Sequence, residues 1–289
     1  MRFALSDDQA AFRDAVRELL AKECPPAVVR AAWDAAPGEL DRGVWDSLAA
    51  MGVLDLLVPE ADGGLGLGET FLVPILEECG RAALPHPIVE TAMVAAPLLG
   101  AGAGMVSTDL GGPLIPCALD ADVLLVRRGD GLVTLPSEAV DLEPEATVDG
   151  ARRAARIGER LDTSQPATPS AASGPSPSSA HEADLDLAFD RGALGTAAVL
   201  VGIGQAMLDM TVGYVRERHD MILYPEFAAK GWQIGSGPTE ASCKTLTARL
   251  KGSGMRWDPS NAEAIMALEA LSQSSLWKEY WQTLLPTAA

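Results

Sequence analysis

Lysine is almost missing from the first three quarters of this 289-residue chain, where Lys22 is the only one before residue 220. Arginine does not make up the difference. Residues 1–219 hold 16 Lys and Arg against 33 Asp and Glu, a net of −17, and the whole chain carries −18. That balance argues against a nucleic-acid surface on the chain as a whole and suits a soluble cytoplasmic protein. The four cysteines (Cys24, Cys79, Cys117 and Cys243) are scattered with no CxxC pair, which disfavours a zinc site and reads as buried, reduced thiols. No stretch reaches the ~18 uninterrupted apolar residues of a membrane span. The nearest, Ala193–Leu208, is broken by Gly195, Thr196, Gly202, Gly204 and Gln205. Asp7 and Asp8 near the N-terminus, with no long apolar run, give no sign of a secretory leader. What is present is ample material for a core, since 48% of residues are hydrophobic.

Composition shifts at one place. Residues 220–289 hold 6 Lys and Arg against 7 Asp and Glu, and contain Lys230, Lys244, Lys251 and Lys278. Four of the six tryptophans (Trp232, Trp257, Trp277 and Trp281) also lie there. Such a break marks either a join between pieces of different origin or a basic-leaning second domain.

Along the chain, Ser6 to Gln9 forms a capping-box pattern ahead of Phe12, Val16, Leu19 and Leu20 at helical spacing, and Pro25-Pro26 stops that helix. Further helices are predicted over Gly43–Met51, ended by Gly52, over Glu69–Cys79, ended by Gly80, and over Pro87–Leu99. From about residue 112 the texture turns to β, with Asp122–Val126 and Leu132–Leu135 around an Arg-Gly-Asp-Gly turn signal. ARRAARIGER (151–160) reads equally as strand or helix. Residues 163–180 are Pro/Ser/Ala-rich, as a linker or exposed loop is. Leu185–His219 is one helical pattern with Leu194, Ala198, Val201, Gln205, Leu208, Val212 and Val215 near one stripe. Its glycines each weaken a solitary helix by ~1 kcal/mol, so they point to close packing, and the exposed apolar stripe of residues 194–215 predicts an oligomer or poor solubility. The GGLGLG run (63–68) carries phosphate-loop composition but neither the G-x-G-x-x-G spacing nor a βαβ setting, which favours a tight turn between helices.

Several stretches in order resemble the acyl-CoA dehydrogenase family. They are FALSDDQ (3–9) with the helix after it, VWDSLAAMGVLDLLVPEADGGLGLGE (44–69), LVPILEECGRAALPHPIVETAMVAAPLL (72–99), DADVLLVRRGDGLVTLP (120–136), VDGARRAARI (148–157), and GALGTAAVLVGIGQAMLDMTVGYVRERH (192–219). The resemblance implies a mainly α fold with a small β domain. Its parts would be an N-terminal helical domain (1–108), a shortened middle β-domain (112–162), a Pro/Ser-rich linker (163–183) and the first helix of a truncated C-terminal bundle (184–219). It implies FAD as cofactor and an acyl-CoA substrate, dehydrogenated between its α and β carbons, with the redox step belonging to the flavin. It also implies assembly with like or unlike subunits of the family. Arg218 matches the family's flavin-diphosphate arginine, although a helix C-terminus favours a cation there in any case. The family's Gln-Phe-Gly turn is replaced by Met221-Ile-Leu, and its Thr-Glu-Pro…Gly-Ser-Asp flavin stretch has no counterpart. The helices that carry the catalytic base are also missing, so no catalytic residue is assigned and the chain alone is expected to be impaired.

The remainder, 220–289, resembles the C-terminal end of DDE-type insertion-sequence transposases, on IGSGPTE (234–240), GSGMRW (252–257) and a closing W-x-x-Y-W. Glu240 matches that family's last metal-binding acid. Its acidic partners are absent, so a helix-start role is the simpler reading. Lys244, Arg249, Lys251 and Arg256 read as a solvated face that once touched phosphates.

Overall fold

The computed structural model describes residues 4–128, 131–158, 182–231, 258–274 and 276–284, together with 241, 243–245 and 247. The chain divides into two compact units, Met1–Tyr214 and Val215–Ala289. The division falls a few residues before the compositional seam.

The first unit begins with α1 (Asp7–Glu23), whose N-cap Ser6 and Gln9 make both hydrogen bonds of the capping box. The paired prolines end α1 as expected, but they also start α2 (Pro26–Asp34), because a proline at the first helical position forgoes only an N–H that has no helical partner. Next come α3 (Gly43–Ala50) and α4 (Glu69–Arg81). Helix α4 runs past its predicted end, and Gly80 lies inside it. Arg17 of α1 clasps the buried Glu78 of α4 with two hydrogen bonds of 2.9 and 2.7 Å. The predicted helix over 87–99 forms with a difference. Val89–Ala95 is a π-helical segment, and only Ala96–Leu99 (α5) is α. Such wide turns gather at functional sites.

The β texture starts at residue 106, earlier than expected, because β1 (Val106–Asp109) is too short to show alternation. It pairs in parallel with β3 (Val123–Arg128), which pairs antiparallel with β4 (Gly131–Pro136) as the turn signal predicts. A second sheet sets β6 (Ala154–Ile157) between β2 (Ile115–Pro116) and β5 (Leu142–Glu145), which resolves the ambiguous string as a strand. The linker stretch lies outside the described residues apart from its end, which already belongs to α6.

Helix α6 runs Glu182–Glu217. The face it docks is a row of small residues, and most large residues of the stripe read from the sequence stay exposed. Leu185, Ala188, Gly195, Ala198 and Gly202 are buried, while Leu194, Val201, Leu208 and Val212 are exposed. Backbone proximity decides this. A Cβ at Gly202 would collide with the Glu77 carbonyl, a Cβ at Gly80 with the Val199 carbonyl, and a Cβ at Gly195 would lie 2.9 Å from Met93 and Val89. Only a row of small residues lets α6 lie so close to α4, and the bulky side chains must then face away. By length and composition α6 could cross a membrane, at mean hydropathy 1.5 over an 18-residue window.

The second unit holds a 3-10 turn (His219–Met221), α7 (Tyr224–Ala229), a helix Pro259–Gln273 capped by Asp258, and a helix Trp277–Leu284. On the last of these, Trp277 and Trp281 meet edge to face at 5.5 Å.

Candidate functional site

Helix α4 ends in a turn that turns the chain toward the β strands. Ala83 takes the left-handed conformation (φ 51°), its N–H bonds to the Gly80 carbonyl, and the Leu84 N–H bonds to Cys79. This is the geometry that glycine usually supplies at a helix end, and an alanine there costs about 1 kcal/mol. The turn delivers Pro85 and His86 to one wall of a cavity of about 260 Å³. Trp33 of α2, Val199 and Ile203 of α6, and the strap Asp149–Arg152 ahead of β6 complete it.

The strap is held in shape by Asp149, whose Oδ1 accepts the N–H groups of Ala151 (3.0 Å) and Arg152 (3.3 Å). Gly150 lies so close to the Trp33 ring that a side chain would not fit. From this strap, Arg152 donates to Glu90 Oε1 at 2.7 Å, reaching the π-helical turn. Burial works against the Arg152 charge, yet Glu90 overcomes it and holds the guanidinium above its ordinary pKa. Glu90 Oε2 and Arg152 Nε have no partner among the described residues. Neighbouring Arg153 donates to both oxygens of Asp120 at 3.1 Å and to the Ala35 carbonyl. Asp120 also accepts the Gly38 N–H at 2.9 Å.

His86 is 2% exposed and stacks on Trp45, with ring centroids 5.7 Å apart. Its Nε2 lies 2.8 Å from the Asp41 carbonyl, which can only accept, so Nε2 carries the hydrogen. Nδ1 is therefore an acceptor, and it has no partner among the described residues. Burial lowers the His86 pKa and keeps the ring neutral. Burial likewise pushes the Cys79 and Cys117 thiols up to about 12. These two and Cys24 are buried, as read from the sequence, but Cys243 is exposed.

The glycine run is not a phosphate cradle. The N–H groups of residues 63 to 67 are all engaged by carbonyls of the preceding segment, at Glu60, Pro59, Asp55, Val58 and Leu56. A Cβ at Gly64 would strike Val58, so the glycines serve the turn itself. Arg17, Arg42, Arg81, Arg152, Arg153 and Arg191 each hold a carboxylate already. Those six arginines are committed within the fold, while Arg30 and Arg128 have no ion pair among the described residues.

Arg218, the expected flavin contact, caps the 3-10 turn after α6 in the second unit, with Nη1 3.4 Å from Glu217. Glu240, Arg249, Lys251 and Arg256 lie outside the described residues, and Lys244 is exposed. Sequence reading missed Glu90, His86, Arg152, Arg153 and Asp120. The one available signal was the Arg152-Arg153 doublet in a segment with no other reason to be basic.

Residues 6–105 match the acyl-CoA dehydrogenase N-terminal domain. Acyl-CoA dehydrogenase IpdE2 of Mycolicibacterium smegmatis is 27% identical over 231 residues, which cover 74% of this chain and 66% of that protein, just under two thirds of its length. Among solved structures, the ChsE4–ChsE5 complex of Mycobacterium tuberculosis is similar in fold, at TM-score 0.56, 19% identity and coverage of 75% of this chain and 68% of that one. Butyryl-CoA dehydrogenase of Megasphaera elsdenii is also similar, at TM-score 0.58, 15% identity and coverage of 94% of this chain and 87% of that one. Coverage of 94% carries the likeness in fold past residue 220. Over residues 6–105 the chain thus matches the acyl-CoA dehydrogenase N-terminal domain, and more of it is similar in fold to the solved structures above.

Proposed function

We propose that the chain is a subunit of a hetero-oligomeric acyl-CoA dehydrogenase, impaired alone and active on an acyl-CoA thioester only beside a flavin-holding relative. One observation carries this. Residues 192–208 of α6 contain no charge. The helix buries its small-residue face, yet between Leu187 and Tyr214 eleven large apolar side chains stand exposed, among them Leu200 at 61% and Met210 at 67%. Soluble monomers rarely leave a contiguous apolar patch beyond roughly 300–600 Å² uncovered. A neutral, apolar helix face is best covered by other helices, and two-chain assemblies occur among the similar folds, as in the ChsE4–ChsE5 complex. Docking of the opposite face along α4 favours a cytoplasmic, oligomeric helix over a membrane span.

The test is co-expression with an acyl-CoA dehydrogenase encoded by the same organism. The chain alone is expected to purify without stoichiometric flavin absorbance, and the mixture to give a flavin-bearing hetero-oligomer that bleaches when acyl-CoA is added. Stoichiometric flavin in the chain alone, reduced by acyl-CoA, overturns the reading.

The compositional seam supports a further element, that residues 220–289 come from a transposase reading frame joined near His219–Asp220. An unbroken dehydrogenase gene at the parent locus would refute it. A net charge of −18 weighs against DNA affinity in such a remnant.

A further inference from the structure

Helix α6 repeats with a period of seven residues. Its docked row is Ala188, Gly195 and Gly202, all buried. Clear of that row runs a second set at alternating intervals of four and three: Phe189, Ala193, Thr196, Leu200, Ile203, Met207, Met210 and Tyr214. All eight are exposed, the six large ones by 36% (Ile203) to 67% (Met210). Unbroken four-three spacing of this kind is the seam that one helix offers to another running alongside it.

The seam is complementary to itself when two copies run antiparallel. With Leu200 level with Ile203 of a second α6, Phe189 meets Tyr214, Ala193 meets Met210 and Thr196 meets Met207, each layer occurring twice about a two-fold axis. Every layer then joins a small residue to a long thin one, or two residues of like bulk, which is how facing positions interdigitate without voids. A parallel pair in register sets Ala193 and Thr196 each against its own copy at one end, and Met207, Met210 and Tyr214 each against its own copy at the other. One end then gapes and the other is crowded, and both cost stability. Sliding the antiparallel pair by one heptad leaves either Met210 and Tyr214 or Phe189 and Ala193 uncovered.

Charge does not choose the occupant. The positions flanking the seam hold one charge, Asp190, and otherwise uncharged residues such as Ala197, Gly204 and Gly213, so shape decides. The six large side chains offer apolar surface on the order of 700 Å² per copy, close to the ~800 Å² per partner of a standard specific interface.

We propose that this seam is the contact between two copies of the chain, paired antiparallel along α6 in a symmetric dimer. The proposal rests on the reading of α6 as a subunit contact and goes beyond it. The row Leu187, Leu194, Val201 and Leu208 lies outside the seam, is exposed as well, and remains for the unlike subunit.

Sedimentation velocity of the full chain, purified without a partner subunit, tests this. A dimer is expected at ~10 μM. Leu200→Glu puts a carboxylate into the middle of the seam twice and should weaken the dimer by ~100-fold or more. Leu208→Glu, outside the seam, should leave it unchanged. Both residues are exposed, so the monomers keep their fold, which circular dichroism checks. Direction is read from a charge pair. Thr196→Lys and Met207→Glu should each weaken the dimer by ~10-fold or more, and the double variant should recover most of that loss. In an antiparallel pair the two substitutions set lysine against glutamate in two layers, and in a parallel pair they set like against like. A monomeric chain at that concentration overturns the inference and leaves the face to the unlike subunit or to the chain's own last residues. A dimer indifferent to Leu200→Glu places the contact elsewhere and overturns it too, and a double variant no better than the single ones refutes the antiparallel pairing. The flavin and co-expression results are separate readouts, and either can fail while the dimer stands.

Discussion

The two units of the chain are built on opposite principles. In Met1–Tyr214 the helices and sheets close over a continuous core that runs from Val16 and Leu20 through Leu72, Ile75 and Met93 to Ala188 and Ala198. In Val215–Ala289 no described residue is buried, and Trp277, Tyr280 and Trp281 contact one another in the open. Hydrophobic content alone does not distinguish them. The difference lies in whether apolar side chains share a face that something else covers. Helix α6 shows this within one element, since its small residues are inside and its large ones outside. Burial there follows from how near the backbone can come, and the bulk of each side chain is secondary.

The strongest way to break the contrast is at that contact. Gly202→Val drives a branched side chain into the Glu77 carbonyl, which is backbone and cannot swing away. Overpacking of this kind costs about 1–3 kcal/mol where neighbours can yield, and more where the obstacle is main chain. A thermal melt is expected to show a loss at or above the top of that range. Gly204, two residues on, has nothing within 4 Å of a would-be Cβ. Gly204→Ala should gain about 0.5–1 kcal/mol, because there only the helix propensity changes. Similar melts for the two variants would mean that α6 does not lie on α4 by its glycine row.

A smaller effect sharpens the picture of the first unit's polar interior. Burial lowers the His86 pKa, against the pull of the Asp41 carbonyl and of Asp41 and Asp120, with Arg42 acting in the same sense as burial. The unfolded chain takes up a proton near the ordinary histidine value of about 6.5, and the folded chain does so only at lower pH. Stability from the neutral ring is thus fully present above that value and is lost as pH falls below it. Melts between about pH 7.5 and 5.5 should show a falling midpoint, and His86→Gln, which cannot titrate, should flatten the slope. Glu69 and Asp122 are held below their ordinary values and act only in more acidic solution. An unchanged slope in the Gln variant would refute the assignment.

Local signals were legible where short-range chemistry decides the outcome. The capping box at Ser6, the glycine stop at Gly52 and the hairpin of β3 and β4 needed only neighbours in sequence. The small-residue row of α6 was visible as glycines that require packing, and most of the large residues between 194 and 215 were legible as an exposed stripe. Side-chain volume is the usual guide to burial, and it fails where backbone approach is the scarce resource. The Arg152–Glu90 and Arg153–Asp120 pairs join segments 62 and 33 residues apart, and no spacing rule reaches that far. Helix α2 was missed because the paired prolines were read only as a stop.

The weakest expected effect separates the units most cleanly. The main core cluster of the first unit is formed by residues before 214, and no described residue after that point is itself buried. Ending the chain after Asp220 removes α7 and the two later helices while keeping α6 whole. The melting midpoint of the first unit should then move by no more than about 1–2 °C, well within the 2–4 °C that ~1 kcal/mol would shift a unit of this size. The deletion also removes the exposed tryptophan pair, so intrinsic fluorescence reports on Trp33 and Trp45 alone. A drop of many degrees would mean that the last seventy residues shelter apolar surface of α6, in which case the tail is a working part of the fold and the contrast between the units fails.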